Sequence, residues 1–423
     1  MKVLHLTASD GGSGAGRAVL RLNRALRGLG VDSVVRVMSK KSDEPSVSGP
    51  KGRGEEARCL LRFLLAQRLL KLQRRKDSGI RSLALFSSGI GREANRSDAD
   101  IINLHWIGSE YMSIREVARI RKPIVWTFHD MWGFCGTEHI AGTEEDERWR
   151  TGYVGFGLWS HKTGLDLDRL VWKVKRHYWR RPVRIVCPSY WMEKCVRSSP
   201  LTRDWPTSVI PNALDTERFR RHEKRFARQV FGLPAERPLV LFGAASGVGD
   251  RNKGYDLLMA ALDKLRLDGG QRIECVVVGG GGRTVPEYCS VHAVGRVYDD
   301  YTMALLYSAV DVTIVPSRIE NLPQMATEAQ ACGCPVIGFR TAGLPDAVAD
   351  KITGVLVDPF DTEQLAEAMR SMLREEVRAK MGVMAIERAA RLWSYSIVAE
   401  QYRHIYEEVV KKVAERNCAM TPE

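Results

Sequence analysis

Long apolar runs are missing: no stretch of the 423 residues approaches the roughly 18 consecutive apolar positions that a membrane-crossing helix needs. No secretory leader is expected either, since Met1 and Lys2 lead into only a short apolar run before Ser9-Asp10-Gly11. The nine cysteines show no paired C-x-x-C spacing, which argues against a zinc site and for reduced thiols in a cytoplasmic protein. Cys332-Gly333-Cys334 stands alone and reads as a pair of core thiols. No zinc-finger spacing and no aromatic–basic RNA motif occur, which removes the nucleic-acid binder that a net charge of +13 would invite. Acidic residues are the scarcer sign, 51 against 64 basic, so anionic partners are favoured: nucleotide diphosphates or an acidic lipid surface.

What remains is an ordinary globular composition, 44% hydrophobic and 27% charged, long enough for two domains with a core each. KVLHLTAS at the start reads as a strand, followed by the turn DGGSGAG and a helical pattern over 17–29. A Gly-rich turn between strand and helix lets backbone approach a phosphate or sugar. Apolar runs at 31–38, 99–106, 123–130 and 183–189 suit central parallel strands, with helices expected at 113–121 and 190–198. No acidic residue closes the 31–38 strand, where the ribose of a dinucleotide would meet one. His129-Asp130 falls at the end of the 123–130 run, where open α/β sheets place ligand contacts. Residues 40–55 are polar and rich in Ser, Gly and Pro and read as a mobile loop. Residues 57–76 form a helix by propensity, with basic and apolar residues sharing every side. A second basic, aromatic-rich helix is expected within 166–184.

A new alternation begins with the strand PLVLFGA at 238–244, the helix at 254–265 and the strand and Gly-rich end IECVVVGGGG at 273–282. VDVTIV at 310–315 reads as a buried strand stopped by Pro316-Ser317. The stretch behind it, PSRIENLPQMATEAQACGCP at 316–335, sets Glu320 and Glu328 eight apart around a polar loop and a helix start. Loop N–H groups and a helix N-terminus beyond a strand's carboxyl end make an anion-binding corner. Carboxylates accept hydrogen bonds from hydroxyls, so the corner suits a ligand that joins phosphate to a hydroxyl-rich sugar.

Glu320 and Glu328 with the trailing EAQACGCPVIGF resemble the E-x7-E signature of the retaining glycosyltransferases of family 4. The resemblance implies the GT-B fold: α/β, two Rossmann-like doubly wound parallel-sheet domains facing across a cleft. It implies an acceptor-side domain at 1–210, a nucleotide-sugar-binding domain at 211–392 and a C-terminal helix at 393–423 that crosses back toward the first domain. The stretch Val209-Ile210-Pro211-Asn212-Ala213-Leu214-Asp215 resembles the family's I-P-N-G-V-D at that crossing. Lys253-Gly254 resembles the family's K-G, whose lysine neutralises the donor diphosphate as a metal would elsewhere. The commoner pattern has Gly-Arg after the preceding strand, and this chain has Gly243-Ala244. One phosphate cation is therefore missing; Arg251 or Arg318 would replace it, Arg251 by its nearness in sequence.

The remaining roles are likewise carried by resemblance. Glu320 would hold sugar hydroxyls and Glu328 the ribose, while backbone at Asn321, Leu322, Gln324 and Met325 would meet sugar and phosphate. Pro323 has no N–H to offer. Arg296 and Val297, in G-R-V-Y-D-D, would grip the nucleobase, with Asp299 or Asp300 capping the next helix. Gly12 and Gly14 would help place donor phosphate and acceptor. Thr127 to Trp132 resembles a T-x-H-D-M-W stretch of a polysaccharide-building branch, in which the histidine, here His129, contacts the donor sugar. Aromatics crowd 131–160, including Trp132, Trp149, Tyr153, Phe156 and Trp159, and a long loop on the acceptor side is expected there, the rings stacking on sugar or packing together.

The implied enzyme is a retaining, metal-independent hexosyltransferase without a cofactor. It would move a sugar from a nucleotide-diphosphate sugar to a hydroxyl of a saccharide, lipid-linked in the resembling branch, in cell-surface polysaccharide or lipopolysaccharide synthesis. It would work in the cytoplasm, and the 57–76 helix reads either as a solvated domain surface or as an approach to the acidic inner face of the membrane. Three alternatives stay open: a sugar-nucleotide epimerase of the same fold, a phosphorylase, for which no pyridoxal-bearing lysine is located, and a non-catalytic anion-binding partner subunit. Retention of Glu320, Glu328, Lys253 and His129 argues against the last, and Ala244 argues for it.

Overall fold

The computed structural model describes residues 1–73, 79–142, 147–154, 159–160, 164–243, 250–265, 273–280, 287 and 289–419. The chain divides into two compact units, Met1–Ala213 with Val398–Glu423, and Leu214–Ile397.

The first unit opens with β1 (Lys2–Ser9), β2 (Asp32–Ser39), β3 (Val47–Ser48), β4 (Ile101–Leu104) and β5 (Ile124–Thr127). A short antiparallel pair, β6 (Trp159–Ser160) and β7 (Gly164–Leu165), precedes β8 (Arg184–Cys187) and β9 (Thr207–Val209). Seven strands form one parallel sheet in the order β3-β2-β1-β4-β5-β8-β9. Parallel neighbours need crossover connections, and helices on both faces explain why the strands are apolar almost throughout. Leu4, Leu6 and Ala8 of β1 enter the larger core, while Val35 and Val37 of β2 meet Val19 and Leu20 of the Gly14–Gly28 helix on the other face. The Tyr395–Ala419 helix closes this unit. Asn103 of β4 donates to the Tyr406 hydroxyl at 2.6 Å, and the Thr127 and Tyr402 hydroxyls are 3.1 Å apart.

Two expectations for this unit are corrected. The 40–55 stretch is not a plain mobile loop: it carries edge strand β3, and the buried Asp10 carboxylate accepts from Lys41 N (2.6 Å) and Ser42 N (3.0 Å). The helix expected to run to 76 ends at Leu70, spanning Arg53–Leu70, and it buries only Ala66 and Leu70. Of the two readings left open for the aromatics of 131–160, packing holds for Trp132, Trp149 and Tyr153, which are each at most 3% exposed and sit in the core. Phe156 lies outside the described residues. A buried polar network ties this segment down. Asp168 accepts from Arg81 at 2.7 Å and from Gln73 at 2.6 Å. The fully buried Lys175 ammonium donates to the carbonyls of Trp132, Cys135 and Gly136, and burial lowers its pKa to about 7.

The second unit holds β10 (Leu239–Gly243), β11 (Ile273–Val278), β12 (Cys289–Gly295), β13 (Val312–Val315), β14 (Val336–Phe339) and β15 (Gly354–Val357). They form a parallel sheet in the order β12-β11-β10-β13-β14-β15. Alternate residues of β10 face different cores, Leu239 and Leu241 one and Val240 and Phe242 the other. Asp311, 1% exposed at its side chain, pins the entry to β13: it accepts from Arg228 (2.8 Å) and Leu239 N (2.7 Å) and pairs with Arg378 (3.1 Å).

Candidate functional site

Strand order reverses between β10 and β13, and in open α/β sheets ligands bind beyond the carboxyl ends at that switch point. Two segments of the sequence signature emerge there. After β10 the chain reaches a single 3₁₀ turn, Arg251–Lys253, and after β13 it runs through Pro316 into the Gln324–Ala331 helix. Pro323 is the N-cap of that helix, and no side chain caps it, so its first-turn N–H groups present the positive end of the helix.

Backbone straps the two segments together. Arg318 N donates to Asn252 O at 2.7 Å, and the Arg318 guanidinium donates to Arg251 O at 2.7 Å while gripping Asp256 at 2.6 and 2.8 Å. Gly254, at φ +66°, lies so close that an added Cβ would stand 1.8 Å from the Pro316 carbonyl oxygen. Gly343 is equally tight, with a Cβ 1.4 Å from Asn321 O, and its N–H donates to Glu320 O at 2.8 Å. The outcome is one ion pair: Lys253 Nζ stands 2.5 Å from Glu320 Oε1, which also accepts from Ser317 Oγ at 3.2 Å. A cation and a carboxylate fixed side by side at a helix N-terminus offer one group to a diphosphate and one to sugar hydroxyls.

The other expected residues of this unit are found in different states. Glu328 is 2% exposed, and its Oε2 accepts from the Tyr307 hydroxyl at 3.0 Å. Leu322 is buried in the core, Met325 packs against it, and Asn321 and Gln324 are half-buried. Arg251 is exposed on the 3₁₀ turn, whereas the guanidinium of the rival Arg318 is committed to Asp256. Arg296 is exposed, close enough to Gly280 that a Cβ there would sit 3.2 Å from its Nε; Val297 packs on the core. Asp299 caps the Asp300–Ala309 helix, accepting from Thr302 N at 2.8 Å. Ala244 lies outside the described residues.

In the first unit the strand order reverses between β1 and β4, and the Gly-rich turn follows β1. Ser13 caps the helix by accepting from Gly16 N at 3.1 Å. Gly12 needs its positive φ of +74°, and Gly14 has open space where a Cβ would stand. The close approach belongs to Gly16, unremarked in the sequence, where a Cβ would meet Gly11 N at 2.8 Å. His129 lies just past β5. Its Nε2 is 3.0 Å from His105 Nδ1, and burial lowers its pKa to about 4. Beside it, Asp130 Oδ2 lies 2.5 Å from His139 Nδ1, and His139 Nε2 lies 2.7 Å from Ser82 Oγ. These are the residue types of a hydrolytic triad, but Ser82 is 1% exposed and accepts from Ser109 N at 2.8 Å. The void beside His139 and Asp130 is about 10 Å³, room for about one water. The series is a brace: burial alone would raise Asp130, and the His139 contact, with donors from Trp132 N and Trp106, holds its carboxyl below the usual range.

Fold and corner together define a GT-B glycosyltransferase. Residues 12–218 match the model described as Glycosyltransferase Family 4, and residues 237–375 the one described as Glycosyl transferases group 1. A D-inositol 3-phosphate glycosyltransferase of Saccharomonospora viridis is 31% identical over 351 residues, 78% of this chain and 75% of that relative. Another, of Nocardiopsis dassonvillei, is 37% identical over 213 residues, 46% of this chain and 49% of the relative. Among solved structures, sucrose-phosphate synthase from Thermosynechococcus elongatus matches with a TM-score of 0.67 at 20% identity, covering 97% of this chain and 100% of that one. Anabaena HepE in complex with UDP-glucose matches at 0.65 and 16% identity, covering 96% and 100%. The chain belongs to glycosyltransferase family 4 and is an enzyme that transfers a sugar from a nucleotide sugar.

Proposed function

We propose that the Lys253–Glu320 corner receives a nucleotide-diphosphate sugar, and that the enzyme passes its sugar to a saccharide hydroxyl with retained configuration. The ion pair is the observation that carries this reading. Lys253 stabilises the diphosphate as the bond to the sugar breaks, and the first-turn amides of the Gln324–Ala331 helix share that charge. Glu320 turns from lysine to sugar hydroxyls and balances positive character at the anomeric carbon. Glu328 serves the ribose, Arg251 the diphosphate, Arg296 and Val297 the base, and His129 a sugar hydroxyl. The leaving phosphate oxygen takes the acceptor proton, so no protein base is needed below the ring.

The acceptor is a lipid-linked saccharide of cell-surface polysaccharide synthesis, met at the inner face of a membrane. Supporting this, Leu60, Leu61 and Leu64 are 58%, 58% and 49% exposed on the Arg53–Leu70 helix, among Arg58, Arg62 and Arg68. Exposed leucines interspersed with arginines offer apolar and cationic contacts to an acidic lipid surface, although the two kinds share every side of the helix. No described helix is long and apolar enough to cross a membrane. The names of the relatives favour a second reading, a small phosphorylated polyol such as D-inositol 3-phosphate as acceptor.

Radiolabelled UDP- and GDP-sugars offered with either acceptor class separate the two. Label entering a butanol-extractable lipid supports the first reading. Label entering only the water-soluble polyol overturns the lipid-linked acceptor.

A further inference from the structure

Six polar side chains form a continuous hydrogen-bonded line in the first unit, running from β2 across β1 to the residues just past β4 and β5. Asn23 Nδ2 donates to Ser46 Oγ at 2.8 Å. The other end of that amide, Oδ1, accepts from Ser33 Oγ, also at 2.8 Å. Ser33 Oγ is 3.0 Å from His5 Nε2, His5 Nδ1 is 2.9 Å from His105 Nε2, and His105 Nδ1 is 3.0 Å from His129 Nε2. Asn23, Ser33 and His5 are fully buried, and His105 is 3% exposed.

The direction of the line follows from the orientation of the Asn23 amide, Nδ2 toward Ser46 and Oδ1 toward Ser33. An amide oxygen only accepts, so Ser33 spends its single proton on Asn23 and has only lone pairs for His5. His5 must therefore carry its proton on Nε2, which leaves Nδ1 as an acceptor. His105 then donates from Nε2 to His5 and accepts at Nδ1, and the donor to that Nδ1 is His129 Nε2–H. Each link presupposes a neutral ring. Burial supplies that, lowering His5 to about 3, His129 to about 4 and His105 well below the ordinary histidine range.

We propose that Asn23, Ser33, His5 and His105 are positioning residues that hold His129 in a single neutral tautomer, protonated on Nε2, with Nδ1 as the ring's basic edge. The consequence for turnover rests on the reading that His129 meets a sugar hydroxyl: a basic Nδ1 orients that hydroxyl as a donor, and a flipped tautomer turns an N–H toward it instead. The tautomer itself does not depend on that reading.

The test uses the full chain labelled with ¹⁵N-histidine, with ring signals assigned by single-histidine substitutions. Ring-nitrogen shifts separate bare from protonated nitrogen, which a merely structural role for Ser33 would not alter. The expected wild-type pattern is bare Nδ1 and protonated Nε2 at His5, His105 and His129 alike. Ser33→Ala should mix the tautomers at all three rings and lower kcat for donor consumption about tenfold, the scale of one misdirected hydrogen bond, with KM little changed. Ser33→Thr, which keeps the hydroxyl, should restore both. A proton on Nδ1 of His129 in the wild type, or an unchanged pattern in a folded Ser33→Ala protein, would overturn the proposal. The expected pattern together with full turnover in His129→Ala would uphold the tautomer and remove the sugar contact instead.

Discussion

Replacing Gly254 with alanine separates the strain of a backbone conformation from the geometry of the corner. Gly254 has φ +66°, and an added Cβ would stand 1.8 Å from the Pro316 carbonyl oxygen. Restoring even a 3.0 Å contact moves that carbonyl by about 1.2 Å, and the atom is backbone, unable to swing away. Gly232, in the same unit, supplies the comparison: its φ is +61°, and nothing lies within 4 Å of its would-be Cβ. Gly232→Ala should therefore cost only the left-handed penalty, about 1–2 kcal/mol. Gly254→Ala adds overpacking of about 1–3 kcal/mol, for a total near 2–5 kcal/mol. The larger effect falls on catalysis, because Pro316 leads directly to Glu320 and Gly254 follows Lys253. A displacement of about 1 Å at a reacting centre costs about 10²-fold in rate. Urea denaturation of both variants, with kcat/KM for donor consumption alongside, reads both quantities. Equal stability losses with equal turnover in the two variants would refute the claim that this close approach sets the corner's geometry.

Other perturbations have equally definite outcomes. Asp311→Ala strips a 1%-exposed carboxylate from Arg228 and Arg378 and should destabilise by about 3–5 kcal/mol in denaturant titration. Arg81→Met leaves the buried Asp168 carboxylate without its cation and should cost a similar amount, about 3–5 kcal/mol, without changing the KM for donor. For His5 the sign follows from burial: the unfolded chain takes its proton near pH 6.5, whereas the folded one resists until about 3. Stability is thus complete above 6.5 and falls as the pH drops across that window, by up to about 1.4 kcal/mol per pH unit. His5→Asn should flatten that slope, measured as unfolding free energy at a series of pH values.

Much of the fold was legible because parallel strands covered on both faces announce themselves as apolar runs; the interval 310–315 became β13 and the helix behind it began at Gln324. The Lys253–Glu320 pairing was reachable from family spacing, although the two residues are 67 apart in sequence. What stayed hidden depended on contacts that spacing does not encode. His5 sits inside KVLHLTAS and looks like one more strand residue; only the parallel register of β1 with β2 and β4 brings it to Ser33 and His105. Asp10 read as part of a ligand turn because its partners, Lys41 and Ser42, lie 31 and 32 residues on. The aromatics of 131–160 stayed ambiguous for a different reason: rings that stack on sugars and rings that fill a core have the same composition, and at Trp132 the buried Lys175 beneath the ring decides for packing. The glycines that matter sterically, Gly16, Gly254 and Gly343, are distinguished by what faces their missing Cβ, which no motif reports.

Lys253 receives the phosphates of an activated sugar in the proposed reaction, and melting temperature reads that directly across a panel of UDP- and GDP-sugars. The wild type should be stabilised by one donor and by its free nucleoside diphosphate, and Lys253→Ala should lose most of that shift while melting near the wild-type temperature without ligand. A Lys253→Ala protein stabilised as strongly as the wild type, or a wild type moved by no sugar nucleotide and no free nucleotide, would contradict it.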